Sequence, residues 1–348
     1  MIFTSLNREE QNSAYRSTSH TSSFSHLARL SIHSRAVTNS SSIPLRRPRP
    51  LPPGGTIAVL AISSPSKPDR IEAAARAIEA KGYRIRLAPN LYDVERTYLA
   101  GPDDLRLALI NEAINDPSVD AIVFARGGYG AMRILDRIDY AALERNPRPV
   151  IGFSDITALH QALASRIGLG SFHGPMLNLD FYEGLSPANE AWFFSMLAGA
   201  APSRLEFEPE QVLSPGRAEG ILFGGCLSLT TALLGTPWDY WVDDGIWFWE
   251  DVEEPVYRLD RMLTTLRLSG RLRSIRGVMI GRLKDCGDPQ KLADLLREFF
   301  AEAGIPVITE LPFGHLGDNL LLPVGARVRI DSHTRVIEFP DPAVELPL

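Results

Sequence analysis

The stretch Thr56-Ile-Ala-Val-Leu-Ala-Ile62 carries no charge and stops at the turn Ser63-Ser-Pro-Ser66. It reads as a short strand covered on both faces. A helix is expected next over about 68–80, ended by Gly82, then a strand over 83–88, a helix over 103–115 and a third strand over 121–125. Repeated strand, helix, strand units imply a parallel sheet with helices on both faces. In such sheets sites form where loops leave the carboxyl ends of the strands. That rule directs attention to the loops after Ala125 and after Phe153.

With 348 residues and 45% apolar composition, the chain has room for two domains with real cores. The segment 199–216 carries Pro202, Pro209 and Pro215 with little periodicity and is expected to link them. The expected fold class is α/β. Residues 54–198 form an N-terminal parallel-sheet domain of three layers, of the class I glutamine amidotransferase kind. Residues 217–348 form a smaller mixed α/β domain, with helices over 226–234, 257–268 and 290–303 and strands over 246–249, 277–280, 307–308, 327–330 and 336–339. Residues 1–53 differ in kind, being rich in Ser, Thr and Arg, with only Glu9 and Glu10 as acids and a Pro-rich end. They are expected to be a disordered leader. Such leaders also resemble organelle transit peptides, but a flexible tail or an over-extended start codon explains the composition as well.

The net charge of -6, with no polycationic stripe, argues against a nucleic-acid partner. Cys226 and Cys286 alone give neither a disulfide framework nor a zinc cluster, and a reducing compartment is the simple reading. No stretch approaches the roughly 20 apolar residues of a membrane span, so a soluble chain with no membrane partner is expected.

Four segments can carry chemistry. Pro149-Val-Ile-Gly-Phe-Ser-Asp-Ile-Thr157 is a strand that ends at Ser154 and runs directly into an amphipathic helix over 156–167. A serine at that junction exposes its hydroxyl, and the amides from Asp155 onward lie at a helix N-terminus, where an oxyanion is stabilised. The pattern lacks the third small residue of G-x-S-x-G, and a plain helix cap by Ser154 or Asp155 is the competing reading. Arg126-Gly-Gly-Tyr-Gly130 follows the strand 121–125 and precedes a helix beginning near Ala131. It fits neither a Walker loop nor a dinucleotide fingerprint, but it can form the second wall of an oxyanion hole beside Ser154. Ile246-Trp-Phe-Trp-Glu-Asp-Val252 delivers Glu250 and Asp251 at a strand end, to orient a histidine or simply to cap the next segment or pair with Arg258 or Arg261. Leu311-Pro-Phe-Gly-His-Leu-Gly-Asp-Asn319 presents His315 between glycines. Of the other histidines, His20, His26 and His33 lie in the leader, His333 in a turn and His160 on the helix after Ser154. His315 and His173 remain as candidates.

Together the segments ARGGYGAMRILDRIDY, IGFSDITALH, FHGPM, FWEDVEEPVYRLDRML and LPFGHLGDN, in this order, resemble the LD-carboxypeptidase (muramoyltetrapeptide carboxypeptidase) family of serine peptidases. The resemblance covers nearly all of 54–340. It implies Ser154 as nucleophile, His315 as general base, Glu250 as the acid that orients it, and the backbone amides of Gly128 and Asp155 as the oxyanion hole. It implies acyl transfer without metal or other cofactor, in a cleft between the two domains. The implied substrate is a cytoplasmic muropeptide, cut between an L-configured diamino-acid centre and a terminal D-alanine during peptidoglycan recycling. A homodimer is the assembly common in the family. One departure is Gly224-Gly-Cys-Leu227, where the family usually reads Gly-Gly-Asn-Leu, and an inert buried thiol is the expected state of Cys226.

Three other functions compete. The microcin C immunity hydrolases resemble the same family and cleave aminoacyl-adenylate conjugates; an adenine-stacking aromatic would mark them, with Trp192, Trp238 and Trp241 as candidates. A non-catalytic binding module of the same fold is opposed by the presence of all three triad residues. A class I glutamine amidotransferase-like enzyme would need a cysteine where Ser154 stands.

Overall fold

The structure is a computed structural model, and it describes residues 44–201 and 203–346. Its first sheet grows from the apolar runs. Strands β1 (Thr56–Leu60) and β3 (Ala121–Phe124) are almost wholly buried, and β2 (Arg84–Leu87) lies at the edge. Helices α1 (Pro68–Glu79) and α2 (Asp103–Asn115) connect them within a residue or two of the expected bounds. The helix expected near Ala131 is instead two 3-10 turns, Ala131–Arg133 and Leu135–Arg137, ahead of the short α3 (Tyr140–Arg145), whose cap is Asp139. Strand β4 (Val150–Gly152) leads to α4 (Thr157–Ile167), which Gly168 ends with a φ of 60°. Strand β5 (Ser171–His173) and α5 (Pro187–Leu197) complete this half.

The sheet order is β12-β5-β4-β3-β1-β2, where β12 is Leu322–Val324 and β1 to β5 are all parallel. The chain steps from β1 outward to β2 and then back across to β3, so the switch point falls between β1 and β3. The loop after β1 and the loop after β3 flank it, and the loop after β4 is next to them.

The second sheet comprises β6 (Ser203–Glu206), β7 (Val212–Ser214), β8 (Arg217–Cys226), β9 (Ile246–Val252), β10 (Gly277–Lys284), β11 (Val307–Leu311), β13 (Arg327–Asp331) and β14 (Val336–Phe339). Helices α6 (Leu227–Ala232), α7 (Val256–Leu268) and α8 (Pro289–Phe300) punctuate it. Its order is β6-β14-β13-β8-β9-β10-β11-β7, eight strands, more than the first sheet holds. The segment 199–216, expected as a bare linker, supplies β6 and β7, the two opposite edges. Eight flat strands would set those edges about 33 Å apart, yet the chain from Glu206 to Val212 reaches about 20 Å at most. The sheet must therefore curl until its edges approach. Strand β12 (Leu322–Val324) leaves this region and pairs antiparallel with β5 of the first sheet.

The part of the expected disordered leader that falls within the described residues is ordered. Leu45, Arg46, Arg49 and Leu51 donate backbone hydrogen bonds to Gly325, Gly168, Pro147 and Leu197, and Leu51 is buried. The remainder of that expectation, over 1–43, and the transit-peptide reading with it, lie outside the described residues. An extended strip of backbone acquires partners wherever a sheet end leaves carbonyls open, a long-range opportunity that composition does not reveal.

Strand β9 separates the two cores by its pleat. Ile246 and Phe248 join the cluster that includes the first sheet, while Trp247 and Trp249 join a second cluster with Leu259, Leu263, Leu266 and Phe300. No helix among the described residues is long and apolar enough to cross a membrane.

Candidate active site

Strand β4 stops at Gly152, and the chain turns through Phe153 into a 3-10 turn, Ser154–Ile156, that feeds α4. Ser154 sits at the bend with φ of 60°, a left-handed conformation that a serine adopts only under constraint. The neighbours are shaped for it. A Cβ added to Gly127 would lie 2.7 Å from the Ser154 Cβ, and one added to Gly152 would lie 3.0 Å from Ile156. Gly152 thus makes room for the bulky residue that occupies the third small position of the elbow pattern.

Neither Ser154 nor Asp155 caps α4, whose N-terminus has no side-chain cap bond. The Asp155 side chain is buried, and its Oδ2 accepts from the Ser63 hydroxyl at 2.6 Å and the Ala131 amide at 2.8 Å. It ties the elbow to the loops after β1 and β3. Burial raises its pKa against those two bonds. The Asp155 amide precedes the first turn bond, from Ile156 N–H to Phe153 C=O, so it is one of the donors a helix start leaves open. Gly128, with φ of 108°, presses so closely on Ser64 that any Cβ there would overlap the Ser64 hydroxyl. Its backbone lines the same cavity as Ser154.

His315 arrives on the loop after β11. Gly314, with φ of 107°, leaves the space that Glu250 enters: a Cβ there would lie 2.8 Å from Glu250 Oε2. Asn319 fixes the loop by accepting from the Gly314 amide at 2.9 Å. His315 Nδ1 lies 2.7 Å from Glu250 Oε2, and the Glu250 side chain is fully buried. A carboxylate there accepts a hydrogen bond from Nδ1–H, which keeps the proton on Nδ1 and leaves Nε2 as the unprotonated nitrogen of a neutral ring. Burial lowers the pKa of His315, but the charge and hydrogen bond of Glu250, joined by the charges of Asp251 and Asp180, outweigh it, and the net displacement is upward. Phe153 packs edge-on against the imidazole, with centroids 4.9 Å apart. Ser154 and His315 both line one cavity of about 250 Å³.

The remaining candidates have structural places. His173 is fully buried against Phe153, Phe248 and Phe313, and burial drives its pKa well down. His160 bonds the Gly152 carbonyl through Nε2 at 2.8 Å, and burial lowers its pKa to about 4. Asp251 faces away from His315 and accepts from the Ser228 amide at 2.8 Å. Cys226 pairs across the sheet with Glu250, its thiol beside the Ser228 hydroxyl, and burial pushes its pKa well up, which disfavours the thiolate a nucleophile requires. Trp192 donates to the Leu321 carbonyl, Trp238 stacks on Tyr140, and Trp241 is core. Asp180, which the sequence did not single out, is fully buried, accepts from the Met176 amide, and is raised by burial to about 8. A carboxyl on an apolar-flanked turn carries no sequence signal of its own.

An N-terminal LD-carboxypeptidase domain model matches residues 57–174 and a C-terminal one matches 219–330. The chain belongs to the LD-carboxypeptidase family. It is a serine carboxypeptidase of that family, with its two-part α/β fold. It is 34% identical over 295 residues to the murein tetrapeptide carboxypeptidase of Pseudomonas aeruginosa, covering 79% of this chain and 92% of that one. Among solved structures, the muramoyltetrapeptide carboxypeptidase of Oxalobacter formigenes matches with a TM-score of 0.72 and 29% identity, over 84% of this chain and 100% of that one. The microcin C7 self-immunity protein MccF, solved with glutamyl sulfamoyl guanosine, shares the fold with a TM-score of 0.79 at 23% identity, over 86% and 99% of the two chains.

Proposed function

We propose that this LD-carboxypeptidase releases the terminal D-alanine of a murein tetrapeptide through Ser154, His315 and Glu250. The observation that carries the proposal is the 2.7 Å bond from His315 Nδ1 to buried Glu250, on an imidazole that shares its cavity with a serine at an elbow of positive φ. His315 Nε2 takes the hydroxyl proton as Ser154 Oγ attacks the scissile carbonyl. The amides of Gly128 and Asp155 bind the oxyanion. Collapse of the tetrahedral species sends the proton to the leaving amine, and water then hydrolyses the acyl-enzyme by the same route. Glu250 holds the useful tautomer throughout.

The likeness to MccF extends to the fold, and the tryptophans that would stack an adenine are engaged in packing. That likeness supports the nucleotide-conjugate reading as the alternative, but no free tryptophan marks it among the described residues, and a side-by-side assay with that conjugate is expected to favour the tetrapeptide. Release of D-alanine by the purified protein, followed by chromatography, is the test. Ser154→Ala and His315→Ala should lower it by about 10³-fold or more, and an active-site serine probe should label wild type and not Ser154→Ala. A folded wild type that releases no D-alanine would overturn the substrate. A cytoplasmic role in murein recycling and a homodimeric assembly accompany this proposal; light scattering tests the latter.

A further inference from the structure

The cavity beside Ser154 is lined by two arginines, Arg70 and Arg126. Among the described residues neither forms an ion pair with a carboxylate. Arg70 spends one Nη1 hydrogen bond on the Asn178 carbonyl at 3.3 Å and lies over the Tyr182 ring at 4.8 Å. Arg126 spends one on the Pro65 carbonyl at 3.2 Å. Every one of these partners is neutral, whereas Arg106 and Arg133, near the loop after β3, are both paired with Asp103. A guanidinium has five donors in a planar fork matched to a carboxylate, and most of that capacity in Arg70 and Arg126 is uncommitted.

The two are also held in place. Asn178 donates its amide to the Ala125 carbonyl at 2.9 Å, accepts from the Lys67 amide on its side chain at 3.1 Å, and accepts from Arg70 on its own carbonyl. One residue thus fastens the start of α1, which carries Arg70, to the end of β3, which Arg126 follows. Strand β3 pairs with β4, which delivers Ser154. The spacing of both cations to the nucleophile is set by the sheet.

We propose that Arg70, with Arg126 beside it, is a specificity device that reads the free α-carboxylate of the residue being released. This rests on the carboxypeptidase reading of the site. In such a reaction the terminal carboxylate lies about 4 Å from the scissile carbon, within the same small space. At about 250 Å³ the cavity is smaller than the roughly 300–1,000 Å³ that drug-sized ligands occupy, and it suits one small residue with its charge. A carboxylate drawn partly out of water into such a space is favoured by a cationic partner.

The test uses the full chain carrying Ser154→Ala, so that binding is measured without turnover. Calorimetry compares a tetrapeptide ending in D-alanine with the same peptide ending in D-alaninamide. The acid is expected to bind about tenfold more tightly or better, and adding Arg70→Met, which keeps the stem over Tyr182, should bring the two peptides within about threefold. Arg126→Met, at an exposed position, should shrink the gap in part, and Arg70→Lys should restore some of it. Equal binding of acid and amide to the starting protein, or a preference that survives both methionine variants, overturns the clamp. D-alanine release by wild type is measured separately. Release together with a surviving preference refutes the clamp and spares the carboxypeptidase reading. No release, with a carboxylate preference that Arg70→Met abolishes, supports the clamp and refutes the assigned leaving residue.

Discussion

Glu250 reaches His315 because side chains alternate along a strand. Phe248 and Glu250 share the face toward the first sheet, while Trp249 and Asp251 share the other. Two adjacent carboxylates that residue chemistry alone could not separate are sorted by the pleat. Protonated His315 cannot act as a base, so kcat/KM should fall on the acid side. Because Glu250 holds the imidazole above its ordinary value, that fall should begin above pH 6.5. Glu250→Gln removes the charge, and the inflection should move down while kcat drops; a pH profile that does not move would remove Glu250 from the role. Asp180 offers a second titration. Its pKa is raised from the unfolded value to about 8 by burial, so its stability contribution is fully present below the unfolded pKa and lost progressively as pH rises to about 8. Asp180→Asn should therefore stabilise the protein at pH 8 by about 1 kcal/mol or more relative to its effect near pH 4. Thermal melts at the two pH values check the sign.

Helix α4 shows how the elements meet. Every residue from Thr157 to Ala164 is buried, so the helix expected to be amphipathic is covered all round. Its partners at the end of β8 and on α6 are specific: the Cys226 amide donates to Thr157 Oγ1 at 3.0 Å, and Gln161 donates to Thr230 at 3.2 Å. The strand end docks there because Gly225 brings no side chain, and a Cβ would lie 2.6 Å from Thr157 Oγ1. Gly225→Ala should cost about 2 kcal/mol or more and also lower kcat, since the helix that begins at the elbow would be displaced; denaturant unfolding and the D-alanine assay test both. Most elements were legible in sequence, as helical periods in α1, α2, α7 and α8 and as apolar runs or alternations bounded by turn residues in β1, β2, β3, β9, β10, β13 and β14. The strands that were missed, β5, β6, β7 and β12, are short and broken by polar residues or proline, and β8 was hidden by Gly224 and Gly225, which weaken strand propensity and serve close approach here. The site was legible differently. Five short segments signalled its chemistry, but the choice of Glu250 over Asp251 and His315 over His173 by residue chemistry alone had to await the packing, and Asp180, Arg70 and Asn178 gave no local sign.

At the scale of the molecule, the stretch from Leu45 to Leu51 stitches together points far apart in the chain: Gly325, Gly168, Pro147 and Leu197. Composition grouped these residues with the leader, because nothing in a Pro-rich strip announces its distant partners. Removing residues 1–52 should destabilise the protein relative to removing 1–43 by about 2 kcal/mol or more, from Leu51 burial and the lost hydrogen bonds, visible as a lower melting temperature. An equal melt would show those contacts to be dispensable. Strand β12 imposes an order in time as well as in space. It closes the edge of β5 but is synthesised some 149 residues later (322 minus 173), roughly 7–30 s at 5–20 residues per second. Throughout that interval the emerging first sheet presents an unpaired edge. Translation speed, and whatever shields nascent chains in the cell, should therefore govern the yield of active protein.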